Sequence, residues 1–218
     1  MAIMNVNPTR MQLSKLKKQL TTAVRGHKML KDKLDELMRQ FLDLIRETKV
    51  LREKIEYELS ECNSHFVNAS AVMSKQALDA SLMSQKQQLT IEVDSRNVMS
   101  VETPVFAQST RTNDDGDIFP YGFAFTSFEL DDAVMSLQKL VPDLIRLAQI
   151  EKSCELMSAE IEKTRRRVNS LEHVMIPRYK DTIKYISMKL EENDRSSRTR
   201  LMKVKDMLLD KAHNYSSH

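Results

Sequence analysis

Residues 13–30 read Leu13-Ser-Lys-Leu16-Lys-Lys-Gln-Leu20-Thr-Thr-Ala23-Val-Arg-Gly-His27-Lys-Met-Leu30, and this stretch decides the fold. Steps of three and four residues alternate between its mostly apolar positions, which is the heptad pattern of a coiled-coil helix. The pattern stays in phase for six heptads, through Leu13, Leu16, Leu20, Ala23, His27, Leu30, Leu34, Leu37, Phe41, Leu44, Thr48, Leu51 and Ile55. It predicts a long N-terminal helix, which Thr9 caps together with Gln12.

A second heptad run lies in the C-terminal half of the chain. We assign to its seam Leu130, Val134, Leu137, Val141, Leu144, Ala148, Cys154, Met157, Ile161, Thr164, Val168, Leu171 and Met175, and after a phase shift at Pro177 also Tyr179, Ile183, Ile186 and Leu190. Two separated runs in one chain predict an intramolecular antiparallel pair. The predicted fold class is therefore all-α, a long antiparallel two-helix coiled coil.

The segment between the two runs has a different character. Alternation in residues 89–93, turn-forming residues at 94–97 and a β-rich stretch up to Pro104 predict a short β-hairpin over about 89–104. Residues 108–128 are polar and then aromatic, and we expect an irregular loop. The chain thus divides into a helix at 1–83, a midsection at 84–126 and a helix at 127–218. We expect the midsection to form a foot opposite both termini, with its hairpin away from both seams.

Composition narrows the class of protein. Three glycines, no tryptophan and 30% charged residues are typical of long-helix proteins, and the formal net charge is only +3. No apolar run reaches the roughly 18 residues of a membrane span, so we expect a cytoplasmic chain that is not itself inserted. The two cysteines, Cys62 and Cys154, face each other's seams in the predicted pair, with the stagger left open.

Motifs of enzyme chemistry are missing from the sequence. None of the three glycines begins or ends a GxxxxGK[ST] loop, and neither HExxH nor CxxC spacing occurs. The five histidines are scattered, and a lone histidine on a helical seam is usually a packed polar residue. We therefore predict no catalytic residue, no cofactor and no metal.

Several segments resemble the D subunit, the central rotor stalk, of bacterial V/A-type rotary ATPases. They are Asn5-Val-Asn-Pro-Thr-Arg10, Leu16-Lys-Lys18, Arg25-Gly-His-Lys28, Leu30-Lys-Asp-Lys33, Asp35-Glu-Leu-Met38, Glu162-Lys-Thr-Arg-Arg-Arg-Val-Asn169, Leu171-Glu172, Ile176-Pro177, Ile183-Lys-Tyr-Ile186 and Leu190-Glu-Glu-Asn193. Two positions depart from the family pattern: Ser100 stands where members often have glycine, and Leu34 where a polar residue is expected.

The resemblance implies a non-catalytic shaft that transmits torque from an ATP-hydrolysing head of A and B subunits to a membrane ion-translocating ring. Its partners would be the F subunit in the stalk, the A and B subunits, and the C subunit that forms a socket above the ring. The chain would lie in the cytoplasm, peripheral to the cell membrane.

Basic residues are concentrated near the N-terminus, where residues 1–33 carry eight Lys or Arg and one acid. We expect the head contact on Lys28, Lys31, Arg165, Arg166 and Arg167, because three consecutive arginines cannot all face one seam. Alternatives remain open. The chain could be a basic coiled-coil arm that binds nucleic acid, or a static coiled-coil scaffold. The basic residues could also form only a solvated face, with the arginines paired to Glu162, Glu172 or the first helix.

Overall fold

The structure is a computed structural model that describes residues 4–84, 86–112, 117–122 and 126–215. Its elements are α1 (Arg10–Val72), α2 (Lys75–Leu82), β1 (Leu89–Val98), β2 (Val101–Thr110), α3 (Phe128–Ser170), a π-helical turn (Leu171–Met175) and α4 (Ile176–Tyr215). Long helices at both ends and one antiparallel hairpin between them confirm the predicted fold class.

Contacts between residues divide the chain into two compact units. The terminal unit comprises Met1–Leu34 and Lys163–His218, and the central unit comprises Asp35–Glu162. The predicted division of the chain at residues 83 and 126 is a different one, based on sequence order, and it stays a prediction.

Helix α1 begins where the sequence predicts. The backbone N–H of Gln12 donates to Oγ1 of Thr9 at 3.2 Å, so Thr9 is the N-cap. All thirteen assigned seam positions from Leu13 to Ile55 are buried or half-buried. Apolar residues off the seam, such as Met11 and Met29, are more than 70% exposed. The heptad assignment of the first helix is therefore confirmed.

The helix ends earlier than predicted. It stops at Val72 and a separate short helix, α2, follows, where the sequence indicated one helix fraying near Met83. Ser74 separates the two helices with an extended backbone, and its Oγ accepts from the N–H of Ala77. A serine favours a helix start because its side chain satisfies an amide that would otherwise have no partner.

In the terminal unit the two chain segments run antiparallel. Arg10 pairs with Asp194 at 3.0 Å, whereas His27, further along α1, pairs with the earlier residue Glu172 at 3.2 Å. The N–H of Met4 donates to Oγ1 of the buried Thr182. These partners fix the stagger that the sequence left open in this unit.

The predicted phase shift at Pro177 has a structural cause in the π-helical turn. The N–H of Ile176 donates to the carbonyl of Leu171, five residues back instead of four. The wider turn places one extra residue in the helix immediately before the proline. The seam therefore resumes in a new phase, with Ile186 fully buried.

The central unit is antiparallel as well. Thr48 lies opposite Cys154, with 4.0 Å between the side-chain oxygen and sulfur. Further along α1, the Sγ of Cys62 donates to the carbonyl of Ala133 at 3.5 Å. The two cysteines therefore lie at different levels, about 20 Å apart along α1 at 1.5 Å per residue, and both thiols are free.

Two positions of the seam assigned to α3 between residues 130 and 148 are wrong, while its other four positions are buried or half-buried. The residues buried there are Leu130, Ala133 and Leu140, while Leu137 and Ala148 are exposed. Three of the residues assigned to the seam line a groove together with Leu89 and Ile118, namely Val134, Leu137 and Val141. Helix α3 has apolar residues on two faces, and the heptad count followed the face toward the midsection.

The hairpin turn lies further along than predicted. Strand β1 continues through the residues assigned to a turn, and the turn is Met99-Ser100, between the paired Val98 and Val101. Both turn residues have positive φ, 52° and 71°, as a type I′ turn requires. The N–H of Ser100 donates to Oδ1 of Asn97 at 2.9 Å.

Pro104 does not end strand β2, contrary to the prediction. It pairs with Ser95, and two-residue hairpins alternate between pairs that exchange backbone hydrogen bonds and pairs that do not. Val98 and Val101, next to the turn, form a hydrogen-bonded pair, so Ser95 and Pro104 form a pair without backbone hydrogen bonds. The sheet therefore loses no hydrogen bond through the missing N–H of Pro104. Phe106 also lies in a pair without backbone hydrogen bonds. Its N–H points away from β1 and donates to Oε1 of Gln149 on α3.

The hairpin packs on the helices of the central unit and is not separate from the seams. Val101 is buried in one cluster with Leu37 and Met157, against which Val98 and Met99 also pack. Leu37 is a seam residue near the middle of α1, 27 residues after its first residue. The expectation that the hairpin lies away from both seams is therefore wrong.

Candidate functional site

The five residues predicted to contact a partner all belong to the terminal unit. Lys28 and Lys31 are exposed on α1, and Arg165, Arg166 and Arg167 are exposed on α3. The arginines lie between Thr164 and Val168, which are 1% and 8% exposed. Because successive helix residues are 100° apart, burial of these two residues leaves the three between them on the outer side. We call these five residues the basic surface.

Four of the five residues of the basic surface form no ion pair with a described carboxylate. Glu172, a candidate partner for the arginines, instead accepts from His27. Among the described residues, none of the carboxylate oxygens lies within 4.0 Å of the charged nitrogens of Lys28, Lys31, Arg165 and Arg167. These side chains keep their donors available to a partner.

Charge is distributed unequally between the two units. The terminal unit's segments carry 22 Lys and Arg against 8 Asp and Glu, whereas the central unit's segment carries 12 against 23. A net charge of +3 for the whole chain conceals this difference. The terminal unit suits an acidic partner and the central unit a basic one.

The C-terminal part of α4 has an exposed, partly apolar surface that the sequence analysis missed. Arg10, the first residue of α1, pairs with Asp194, and every residue of α4 from 195 to 209 is exposed. Large apolar side chains are among them, with Leu201 69%, Met202 67% and Leu208 61% exposed. The signal was the end of the assigned seam at Leu190, while apolar residues continue beyond it.

The perturbed titratable groups do not form a nucleophilic centre. Burial raises the pKa of the Cys62 thiol and of the Cys154 thiol, which disfavours the nucleophilic thiolate form of both. The pKa of Tyr121 is raised by burial and by its hydrogen bond to Asp131. Lys86 and Arg111 lower the pKa of Asp117 mainly through the hydrogen bond from Lys86. The hydrogen bond of Tyr121 and the ion pairs of Asp117 hold local structure in the central unit.

The described helices are amphipathic or strongly charged along their length. None of them combines the length and the apolar character that crossing a bilayer requires.

The fold is an antiparallel helical pair. It exposes the basic surface and residues 195–209 of α4. These features define a class of protein that works by contact with other chains. Residues 12–206 match the family of ATP synthase D subunits. The chain belongs to this family, which forms the stalk of rotary ATPases, and it is therefore one component of a larger complex.

Its relatives match over nearly their whole length. The V-type ATP synthase D subunit of Acetivibrio thermocellus is 60% identical over 215 residues, covering 99% of this chain and 97% of the relative. That of Clostridioides difficile is 58% identical, covering 97% and 95%. That of Clostridium botulinum strain Alaska E43 is 54% identical, covering 95% and 98%.

Proposed function

We propose that this chain is the non-catalytic central rotor component that transmits torque between the A and B head and the ion-translocating ring. The observation that carries the proposal is the seam of α1, where all thirteen assigned positions are buried or half-buried. Torque transmission requires resistance to twisting, and interlocked side chains along a seam distribute the load over many contacts. The sequence lacks the phosphate-binding loop that nucleotide hydrolysis of the P-loop type requires, which supports a non-catalytic role.

The proposed partners are the F subunit in the stalk, the A and B subunits of the head and the C subunit that forms the socket. We place the chain in the cytoplasm, peripheral to the cell membrane, as the family resemblance implies. The excess of Lys and Arg in the terminal unit favours this unit as the part that meets an acidic or carbonyl-rich lining of the head. A nucleic-acid-binding arm would account for the same charge but not for membership of the family.

Within the terminal unit, the basic surface is our candidate for the head contact. Its arginines present planar guanidinium groups with several donors, which can form and re-form hydrogen bonds as a partner surface moves past. Their exposure means that they contribute little to the stability of the chain itself. Residues that bind a partner but contribute little to the stability of their own chain suit an interface that forms and breaks repeatedly.

Single alanine substitutions of Arg165, Arg166 and Arg167 test this contact. We expect each to weaken docking into an A and B hexamer by up to about fivefold, since one exposed ion pair is worth about 0–1 kcal/mol. The effect should fade as salt is raised. Surface plasmon resonance would measure docking, and rotation of a bead attached to the stalk would measure torque.

The matched control is Arg39→Ala, which removes an exposed arginine of the central unit. Its docking and melting temperature should equal those of the unmodified chain. Wild-type docking and rotation in all three variants would show that the basic surface is only solvated. The head contact would then be sought on residues 195–209 of α4, where Leu201→Asp is the decisive change.

A further inference from the structure

Three side chains with metal-binding chemistry converge in the central unit. His65 on α1 faces Glu129 and Asp132 on α3, and one ligand atom from each lies within 4.8 Å of the other two. Nδ1 of His65 is 3.8 Å from Oε2 of Glu129, which exceeds a hydrogen bond. We propose that His65, Glu129 and Asp132 form a binding site for one divalent transition-metal ion of the Zn²⁺ type.

The state of His65 supports a ligand at this position. Its Nδ1 is shielded from solvent and has no hydrogen-bond partner among the described residues, although the ring as a whole is partly exposed. A shielded nitrogen without a partner loses its hydration without compensation. A metal ion between it and the two carboxylates would satisfy all three groups.

The local backbone holds these residues in register. Glu129 and Asp132 are three positions apart, which places both carboxylates on one side of α3. Cys62, one turn before His65, donates to the carbonyl of Ala133, the neighbour of Asp132. The site is therefore anchored at the same level by an independent contact between α1 and α3.

The donor set favours one class of ion. Imidazole nitrogen with carboxylate oxygens suits Zn²⁺ and its neighbours in the first transition row, whereas Mg²⁺ and Ca²⁺ prefer oxygen alone. The helix dipole by itself favours a carboxylate such as Glu129 in the first turn of a helix. It gives no reason for His65 of α1 to lie beside that carboxylate. Three protein ligands leave a fourth position for water.

A bound ion would cross-link the second half of α1 to the first turn of α3. It would act on stability, since binding to the folded state alone stabilises that state. We expect the melting temperature to rise by about 5–10 °C when free Zn²⁺ is about 100 times its dissociation constant. The inference is independent of the proposed rotor function.

The experiment titrates ZnCl₂ into the full chain by isothermal titration calorimetry, with MgCl₂ as the comparison ion. We expect one equivalent of Zn²⁺ to bind, with no Mg²⁺ binding. His65→Ala and the double variant Glu129→Gln, Asp132→Asn should each weaken Zn²⁺ binding by more than about tenfold. The matched control is His173→Ala, an exposed histidine of the terminal unit, which should bind as the unmodified chain does.

Circular dichroism verifies that each variant keeps its helicity. If His65→Ala does not fold, the double variant decides, because amides preserve the size of both side chains. No binding by the unmodified chain would overturn the proposal. Unchanged affinity in His65→Ala, or in the double variant, would overturn it as well.

Discussion

The terminal and central units differ in the side chains that they bury and in their net charge. In the terminal unit the fully buried side chains among the described residues are two threonines and one isoleucine, Thr164, Thr182 and Ile186, and the unit has an excess of Lys and Arg. In the central unit they include Leu37, Leu130 and Leu140, and the unit has an excess of Asp and Glu. The comparison indicates that the central unit contributes more apolar stabilisation and the terminal unit more surface for partners.

The hairpin, which packs on the two helices of the central unit as a third layer, explains the deep burial of Leu37 there. Two helices alone leave many seam residues half-exposed, because each contacts only one partner helix. In the central unit the hairpin covers the pair, so that Leu37 is fully buried between Val101 and Met157. The hairpin is therefore part of the core there, and its removal would expose seam residues.

The largest expected effect comes from truncating a buried leucine in each unit. Leu37→Ala should destabilise the chain by about 3–4 kcal/mol, because three elements surround the cavity it leaves. Leu16→Ala, in the terminal unit, should cost about 2 kcal/mol, at the low end for such changes. Urea unfolding would measure both.

The exposed Leu42, which is 47% accessible on the same helix, provides the control. Leu42→Ala should cost less than about 1 kcal/mol. If Leu16→Ala cost as much as Leu37→Ala, the hairpin would not be the reason for the central unit's stability.

An intermediate effect of opposite sign is expected at the hairpin turn. Ser100 has φ of 71°, which strains any residue with a Cβ, and the family resemblance places glycine here. Ser100→Gly should therefore stabilise the chain by about 1 kcal/mol while keeping the backbone bond to Asn97.

Ser158→Gly is the matched control, since Ser158 is exposed inside helix α3. There glycine should destabilise by about 0.5 kcal/mol. Equal shifts of thermal unfolding in the two variants would contradict a strained turn.

The smallest expected effect concerns an ion pair across the central unit. Lys54 lies 2.6 Å from Asp143, and this hydrogen bond is the main reason that the pKa of Lys54 is raised above 10.5. A raised folded-state pKa means that the pair's stabilisation is fully present below pH 10.5 and is lost as the pH rises through the folded-state value. Lys54→Met should lower the melting temperature slightly at pH 8, with a difference that shrinks at higher pH.

Lys49→Met is the comparison, because Lys49 pairs with Glu53 within α1 alone. A difference for Lys54→Met that persists unchanged above the lysine range would contradict the pair's contribution. The difference would then come from packing of the side-chain stem.

The sequence was sufficient wherever the signal is local. The phase of the α1 seam, the Thr9 cap and the phase shift near Pro177 follow from residues within a few turns of one another. The existence of the hairpin followed in the same way from alternation and turn-forming residues. Helix geometry predicted that at least one of the three consecutive arginines is exposed, and the structure exposes all three. Which partner they contact stays a prediction.

Only the tertiary structure decided which of two apolar faces of α3 meets α1. The sequence offers Val134 and Leu137 as readily as Ala133 and Leu140. In the structure Ala133 contacts Cys62 of α1, whereas Val134 and Leu137 line the groove with Leu89. The turn at Met99-Ser100 likewise depends on cross-strand register. The levels of the two cysteines and the convergence of His65 with Glu129 and Asp132 depend on the stagger of the pair. Because the heptad pattern repeats every seven residues, sliding one helix along the other by one heptad leaves the same pattern of facing positions. The stagger of the two helices is therefore set only when segments distant in the sequence pack together.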